Sequence, residues 1–237
     1  MSKAKLYAAS IALLTIIFGF NDRLPYFDAL HWTKNFVMVF IAVTISFLIT
    51  NHSIEFLVRK RGCSFDYEFI SIRMLRSTKA KFPFGIVMPL LVTIASNGLW
   101  YFPMIASYNF EIKKTKLKKS STLFGWEKAF IYFLPCLFYF AIYNLFWIIS
   151  NLTQISFEHF LLVNFWMAIF MFLPIPKLPG CEVLFSSLPF YIIALIFLIV
   201  GFVVKALSFK IIILLLICTA IYLAFSERIT LNFRKTY

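Results

Sequence analysis

Charged residues are scarce in this chain. Only 14% of its 237 residues are Asp, Glu, Lys or Arg, whereas about a quarter of a typical soluble domain is charged. Hydrophobic residues make up 62% of the chain and lie in long runs, which a compact soluble core of this size cannot bury. The sequence therefore predicts an integral membrane protein in contact with the lipid bilayer.

Motifs of several common binding sites are also lacking. The four cysteines (Cys63, Cys136, Cys181 and Cys218) have no C-x-x-C spacing, which argues against a zinc ribbon and a disulfide framework. There is no phosphate-binding P-loop and no G-x-G-x-x-G dinucleotide motif. The helix centres are nearly free of charge, whereas transport proteins usually place charged residues there.

The basic residues are more numerous than the acidic ones and give a formal net charge of +13. They lie between the apolar runs, where the positive-inside rule places them to orient helices in a membrane. We therefore expect no nucleic-acid partner.

The apolar runs divide the chain into candidate spans within one membrane domain, residues 1–237. We expect an all-α polytopic bundle with a core at 36–180 and a C-terminal helical pair at 188–225. The first run follows MSKAK as in a signal peptide, but it lacks a small-residue cleavage site, so we interpret it as a retained helix. The runs cover residues 6–20, 36–58, 84–106, 128–150, 157–174, 188–204 and 209–225.

The third run is the candidate for a re-entrant element. It contains Pro89, Asn97-Gly98 and Pro103, which interrupt helical hydrogen bonding. If all seven runs crossed the membrane, the basic clusters at 59–81 and 113–119 would face opposite sides, against the positive-inside rule. We therefore expect about six spans plus one re-entrant segment, with both termini cytoplasmic. Seven plain spans is the alternative.

The segment NFWMAIFMFLPIPKLPGCEVLF, residues 164–185, carries the most specific pattern. It resembles the third motif region of site-2-type intramembrane zinc metalloproteases, which reads N-x-x-L-A-x-F-N-x-L-P-I-P-P-L-D-G. A Pro-x-Pro after an apolar helix ends that helix and fixes an extended segment. The positions that match without a gap are Asn164, Ala168, Phe170, Leu173, Pro174, Ile175, Pro176, Leu178 and Gly180.

Weaker similarity extends upstream to about residue 43 and downstream to about residue 204. The helix before Arg59-Lys60-Arg61-Gly62 resembles the one that bears the family's H-E-x-x-H zinc motif. The resemblance implies a helix bundle of the archaeal type, in which this helix lies against the helix ending in the Asp-Gly turn.

Under this resemblance the residues needed for zinc chemistry are missing. Thr50, Ile54 and Pro179 occupy the positions of the zinc ligands, and Asn51 occupies that of the general base. An Ile side chain has no lone pair, and Pro179 replaces a carboxylate. Two further family asparagines, which help to hold substrate, correspond to Phe138 and Met171. The pattern is that of a degenerate, inactive relative with no catalytic residues, metal or cofactor.

A displaced zinc site is the alternative. His52 and Glu55 share a helix face, and Glu182 follows the Pro-x-Pro turn. These three side chains form a chemically plausible zinc triad if the helices pack as in the family. Otherwise His52 and Glu55 are solvated at the helix end beside Arg59.

Three functions therefore remain open. The first is a catalytically inactive member of the site-2 protease family that binds or shields a transmembrane protein partner in the former substrate cleft. The second is an active intramembrane zinc metallopeptidase with a rebuilt metal site. The third is a small transporter or a subunit of a membrane complex. For each we expect a multi-pass protein in the plasma membrane of a prokaryote.

Overall fold

The computed structural model describes residues 2–21, 28–60, 63–73, 81–112 and 125–203. Most of these residues are helical, in agreement with the predicted all-α class. The helices are α1 (Lys3–Gly19), α2 (Ala29–Lys60), α3 (Phe84–Ala95), α4 (Gly125–Thr153), α5 (Glu158–Phe172), α6 (Pro179–Ser186) and α7 (Leu188–Val203), and the strands are β1 (Cys63–Phe69), β2 (Ile72–Arg73), β3 (Lys81–Phe82) and β4 (Ala106–Ile112).

Two of the described helices, α2 and α4, are long and apolar enough to cross a membrane, which is fewer than the roughly six spans expected. The helices α1, α5 and α7 have 17, 15 and 16 residues. A perpendicular span requires about 20 residues because each residue advances a helix by about 1.5 Å. The predicted run at 209–225, Cys218 and the basic tail lie outside the described residues.

The helix α2 is the central element of the fold. It packs against α1, α4, α5 and β1. At one end of the α1–α2 pair, the Trp32 indole N–H donates to the Phe20 carbonyl at 3.0 Å. At the other end, the Lys3 Nζ lies 2.6 Å from a Glu55 carboxylate oxygen. These two contacts fix α1 and α2 as antiparallel neighbours.

The strands β1 and β4 form an antiparallel pair that the sequence analysis did not predict. Their alternating pattern gives the sheet two different faces. One face carries the aromatic residues Phe65, Tyr67, Tyr108 and Phe110, and the rings of Tyr67 and Phe110 pack against Phe47 of α2 and Tyr132 of α4. The opposite face carries Asp66, Glu68, Ser107 and Asn109.

The chain between β1 and β4 leaves the end of the sheet and returns to it. After β1 the Ile70 amide donates to the Ile105 carbonyl, and the Gly85 amide donates to the Ile70 carbonyl. A Cβ on Gly85 would collide with the Ile105 carbonyl oxygen, so only glycine allows this approach. The segment from α3 through the turn at Asn97-Gly98 therefore begins and ends beside Ile70. Its re-entry into a membrane remains a prediction. The single run predicted over 84–106 is divided between this helix and the returning chain.

The return geometry generates a prediction about topology. In a background without native cysteines, Lys79→Cys and Lys116→Cys should react with a membrane-impermeant maleimide from the same side, because Gly85 and Ile105, at the two ends of the intervening apolar segment, both hydrogen-bond to Ile70. Both positions lie outside the described residues. Reaction from opposite sides of sealed vesicles would require a full crossing between them and contradict the re-entrant interpretation.

Candidate functional site

The turn of α2 that carries the degenerate zinc positions is completely buried. Thr50, Asn51 and Ile54 each have 0% exposure to solvent. Tyr108 of β4 and Tyr139 of α4, with exposures of 2% and 0%, close over this turn. Their hydroxyl groups interact electrostatically with each other, Tyr108 also with Asn51 and Tyr139 also with Thr50. We call Thr50, Asn51, Tyr108 and Tyr139 the buried polar cluster.

The buried polar cluster is uncharged and poorly satisfied. Within the described part of the chain, four of its side-chain oxygens lack a hydrogen bond of normal geometry: Thr50 Oγ1, Asn51 Oδ1, Tyr108 OH and Tyr139 OH. Such neutral groups cost less to bury than ionised ligands would without a metal. Neutral hydroxyl and amide groups are not the groups that usually act as a general base on water.

The helices α2 and α5 lie side by side, as expected from the family resemblance. The Asn164 side-chain N–H group donates to the Ser46 hydroxyl and to the Phe160 carbonyl, both at 2.8 Å. Asn164 and Ser46 are both fully buried. The first matched residue of the motif therefore connects the two helices.

The Pro-x-Pro motif ends α5 and leads into α6 by a tight turn. Gly180 lies so close to the end of α5 that a Cβ there would collide with the carbonyl oxygens of Phe172 and Leu173. Pro179 is the first residue of α6 and is buried, and α6 packs against α4 and α5. A direct contact between the Thr50–Ile54 turn and Pro179 remains a prediction.

The displaced zinc triad is not assembled in the described residues. Glu55 is paired with Lys3 and Arg59, whereas Glu182 is paired with Lys128, whose Nζ lies 2.8 Å from the carboxylate. No three His, Cys, Asp or Glu side chains of the described chain lie close enough together to hold a metal ion. The reason is that lysine and arginine side chains hold the two carboxylates at separate places. His52 is exposed on α2.

A cysteine nucleophile is not favoured either. Cys63 and Cys136 are buried, and Cys181 is partly buried in α6. Burial and, secondarily, the adjacent charge of Glu182 raise the pKa of the Cys181 thiol. The thiol is therefore protonated near neutral pH, and it is the thiolate that attacks substrates.

A cleft lies between the polar face of the β1–β4 sheet and the turn that follows the Pro-x-Pro motif. It has a volume of about 240 Å³. Lys177 bridges its two walls by donating from its Nζ to the Ser71 carbonyl. Its backbone has a φ of 72°, which is uncommon for a residue other than glycine. The cleft lining includes Glu68, Ser71, Ser107, Asn109, Lys177 and Glu182. Strands were not expected from the sequence, and Glu182 is the one lining residue among the sequence-predicted candidates.

The contact between α2 and α5 generates a prediction about stability. Asn164→Leu should lower the free energy of unfolding by about 0.5–1.5 kcal/mol, because it leaves the buried Ser46 hydroxyl without its donor. The measurement is reversible denaturation in mixed detergent micelles.

Asn144→Leu is the matched control for this prediction. Asn144 is equally buried and donates at 2.8 Å to the Phe140 carbonyl of its own helix, and among the described residues its amide makes no hydrogen bond to another helix. We expect its replacement to be neutral or stabilising, since its Oδ1 has no partner among the described residues, as is also true of Asn164, and no bond between helices is lost. Equal losses in the two variants would contradict a specific role for the Asn164–Ser46 hydrogen bond.

Comparison of this chain with protein-family models, with curated proteins and with solved structures finds no match. We therefore infer its function from the residues and contacts of the chain itself.

Proposed function

We propose that this chain is a catalytically inactive, site-2-protease-like integral membrane protein that binds a transmembrane partner. The partner would lie in the cleft between the β1–β4 sheet and the Pro-x-Pro turn. In the family that the sequence resembles, the substrate cleft accepts a partially unwound transmembrane helix. The observation that carries the proposal is that the cleft has polar walls, one of which is formed by the sheet whose aromatic face covers a turn of α2 without ionisable groups.

Exposed apolar surface supports insertion in a membrane. Soluble monomers rarely expose large contiguous apolar patches. Here one side of α7 exposes Ile193, Ile196 and Val203, at 67%, 57% and 68%, and α2 exposes a second apolar face. We propose that the shorter helices cross by tilting and that the chain has about six spans with one re-entrant element. Both termini would face the cytoplasm of a prokaryotic cell.

The lack of catalysis follows from the chemistry of the buried polar cluster. A zinc protease needs ligands with available lone pairs and a base to take a proton from the bound water. Thr50, Ile54 and Asn51 supply neither a full ligand set nor a base. In lipid, ionised ligands without a metal would be costly, so neutral replacements stabilise the inactive protein.

The chemistry of the cleft suits an unwound segment of a membrane helix. Backbone N–H and C=O groups released by unwinding must find hydrogen bonds, because the hydrocarbon region offers no water. The cleft provides both kinds of partner: Glu68 and Glu182 accept, while the amide of Asn109 and the hydroxyl of Ser107 both donate and accept. A partner segment rich in glycine or other helix-breaking residues would fit this requirement best.

The two other functions are less well supported by the contacts. An active metallopeptidase would require Glu55 and Glu182 to leave the lysine and arginine side chains that now hold them. A transporter or a subunit of a membrane complex would not require a polar cleft beside the Pro-x-Pro turn. A partner that binds elsewhere on the surface would favour the subunit.

Site-specific cross-linking in the native membrane tests the proposal. Benzoylphenylalanine at Asn109, which is exposed in the cleft, should form an adduct with a transmembrane segment of another polypeptide, identified by mass spectrometry. The same probe at Asn151 on α4, which is also exposed but does not line the cleft, should give no such adduct.

Lys177→Ala provides a second arm of the cross-linking test. Removing the bridge to the Ser71 carbonyl should loosen the cleft and reduce the adduct at position 109 several-fold, while the protein remains folded. No adduct at position 109, or equal yields at 109 and 151, would contradict binding in the cleft.

A further inference from the structure

A second cavity lies at the C-terminal end of α2, away from the cleft residues. Its volume is about 430 Å³. The lining residues are His52, Glu55, Phe56, Arg59 and Lys60. We call it the α2-end cavity. The functional proposal above does not use it.

Positive charge predominates at the α2-end cavity. Glu55 is the one carboxylate in its lining, and it pairs with both Lys3 of α1 and Arg59. The cavity lining and its neighbour Lys3 therefore hold three cationic side chains, those of Lys3, Arg59 and Lys60, and one carboxylate. The site carries a surplus of positive charge and suits an anion.

The geometry leaves the two cationic lining residues able to bind a further group. Arg59 contacts Glu55 through one guanidinium nitrogen, and its side chain is 69% exposed. A guanidinium group has five N–H donors, so donors remain for a second acceptor. The Lys60 Nζ lies 4.3 Å from the centre of the Phe56 ring, which holds it over the cavity wall. The planar guanidinium group of Arg59 and the ammonium group of Lys60 are both suited to binding a phosphate group.

An exposed apolar face leads away from the α2-end cavity along the helix. Ile41, Ile45, Leu48, Ile49 and Phe56 are between 39% and 54% exposed. Their spacing of three, four and seven residues places them on one side of α2. This face extends roughly 22 Å along the axis, more than one leaflet of a hydrocarbon core about 30 Å thick. It therefore provides a surface for an acyl chain directly beside the cationic group.

We propose that the α2-end cavity binds an anionic phospholipid. Arg59 and Lys60 bind its phosphate, and an acyl chain packs along the exposed face of α2. The combination distinguishes a lipid from a soluble phosphate, because a soluble anion would not use the apolar face. The proposal rests on the membrane insertion proposed above, but it does not depend on a partner in the cleft.

Native mass spectrometry of the full chain in mild detergent tests this site. The affinity of the wild-type protein for added phosphatidylglycerol should be at least about tenfold higher than its affinity for phosphatidylcholine. The double variant Arg59→Gln/Lys60→Gln should lose about tenfold or more in affinity for phosphatidylglycerol, since each basic residue near an anionic headgroup contributes to binding. Phe56→Ala should weaken retention of both lipids by removing apolar contact.

A charge-matched control separates the site from general surface charge. Lys5→Gln/Lys34→Gln removes the same number of charges from exposed residues outside the cavity lining, and its affinity should stay within about twofold of the wild type. Equal losses in the two double variants, or no preference for phosphatidylglycerol in the wild type, would overturn the proposal. Displacement of the lipid by an equal concentration of glycerol phosphate would also overturn it, because the occupant would then be a soluble anion.

Carbonate extraction of native membranes separates this proposal from the functional one. A chain that resists carbonate but shows no preference for phosphatidylglycerol retains its proposed membrane insertion and loses the lipid site. A chain released by carbonate is not an integral membrane protein, and both the proposed function and the proposed lipid site would then be wrong.

Discussion

The complete burial of an uncharged polar turn in the central helix constrains the rest of the structure. Thr50 and Asn51 lie where α2, β4 and α4 meet, and the rings of Tyr108 and Tyr139 close over them. Polar groups are tolerated at such a position only when they are neutral or paired. Neutral side chains and the exclusion of water are therefore physically compatible at this turn. A charged side chain at Ile54 would need a metal or a counter-ion to remain buried.

The two faces of the β1–β4 sheet connect this constraint with function. Its aromatic face supplies the ring of Tyr108 that covers the turn of α2, together with Tyr67, whose hydroxyl donates to the Ser10 hydroxyl of α1 at 3.0 Å. Its polar face forms a wall of the cleft, which Lys177 connects to the Pro-x-Pro turn. The sheet thus lies between the buried turn of α2 and the open cleft. This arrangement is compatible with the proposed binding of a partner segment.

The apolar runs predicted the helices well and the strands not at all. The run at 36–58 lies inside α2, and the described part of the run at 188–204 is the helix α7, because helices in an apolar environment depend mainly on hydrophobic length. The alternation of Phe65, Tyr67 and Phe69 in β1 was a signal for a strand. The sequence analysis took the surrounding basic residues for a connecting segment instead. The cleft was not predictable without this sheet, whereas the helix positions of Thr50, Asn51 and Ile54 followed from the motif.

The most direct test of the account is to introduce the zinc ligands that the family resemblance places at these positions. Metal analysis of wild-type protein purified without chelator should find well under one zinc per chain, since Thr50, Ile54 and Pro179 cannot hold the ion. The variant Thr50→His/Asn51→Glu/Ile54→His/Pro179→Asp should bind about one zinc per chain if the Thr50–Ile54 turn and the Pro179 turn face each other. The same variant with Pro179 retained should bind zinc at least about tenfold more weakly. The account would be contradicted if the variant with all four substitutions is folded and monodisperse but binds no zinc. It would also be contradicted if the wild-type chain carries one zinc ion per chain.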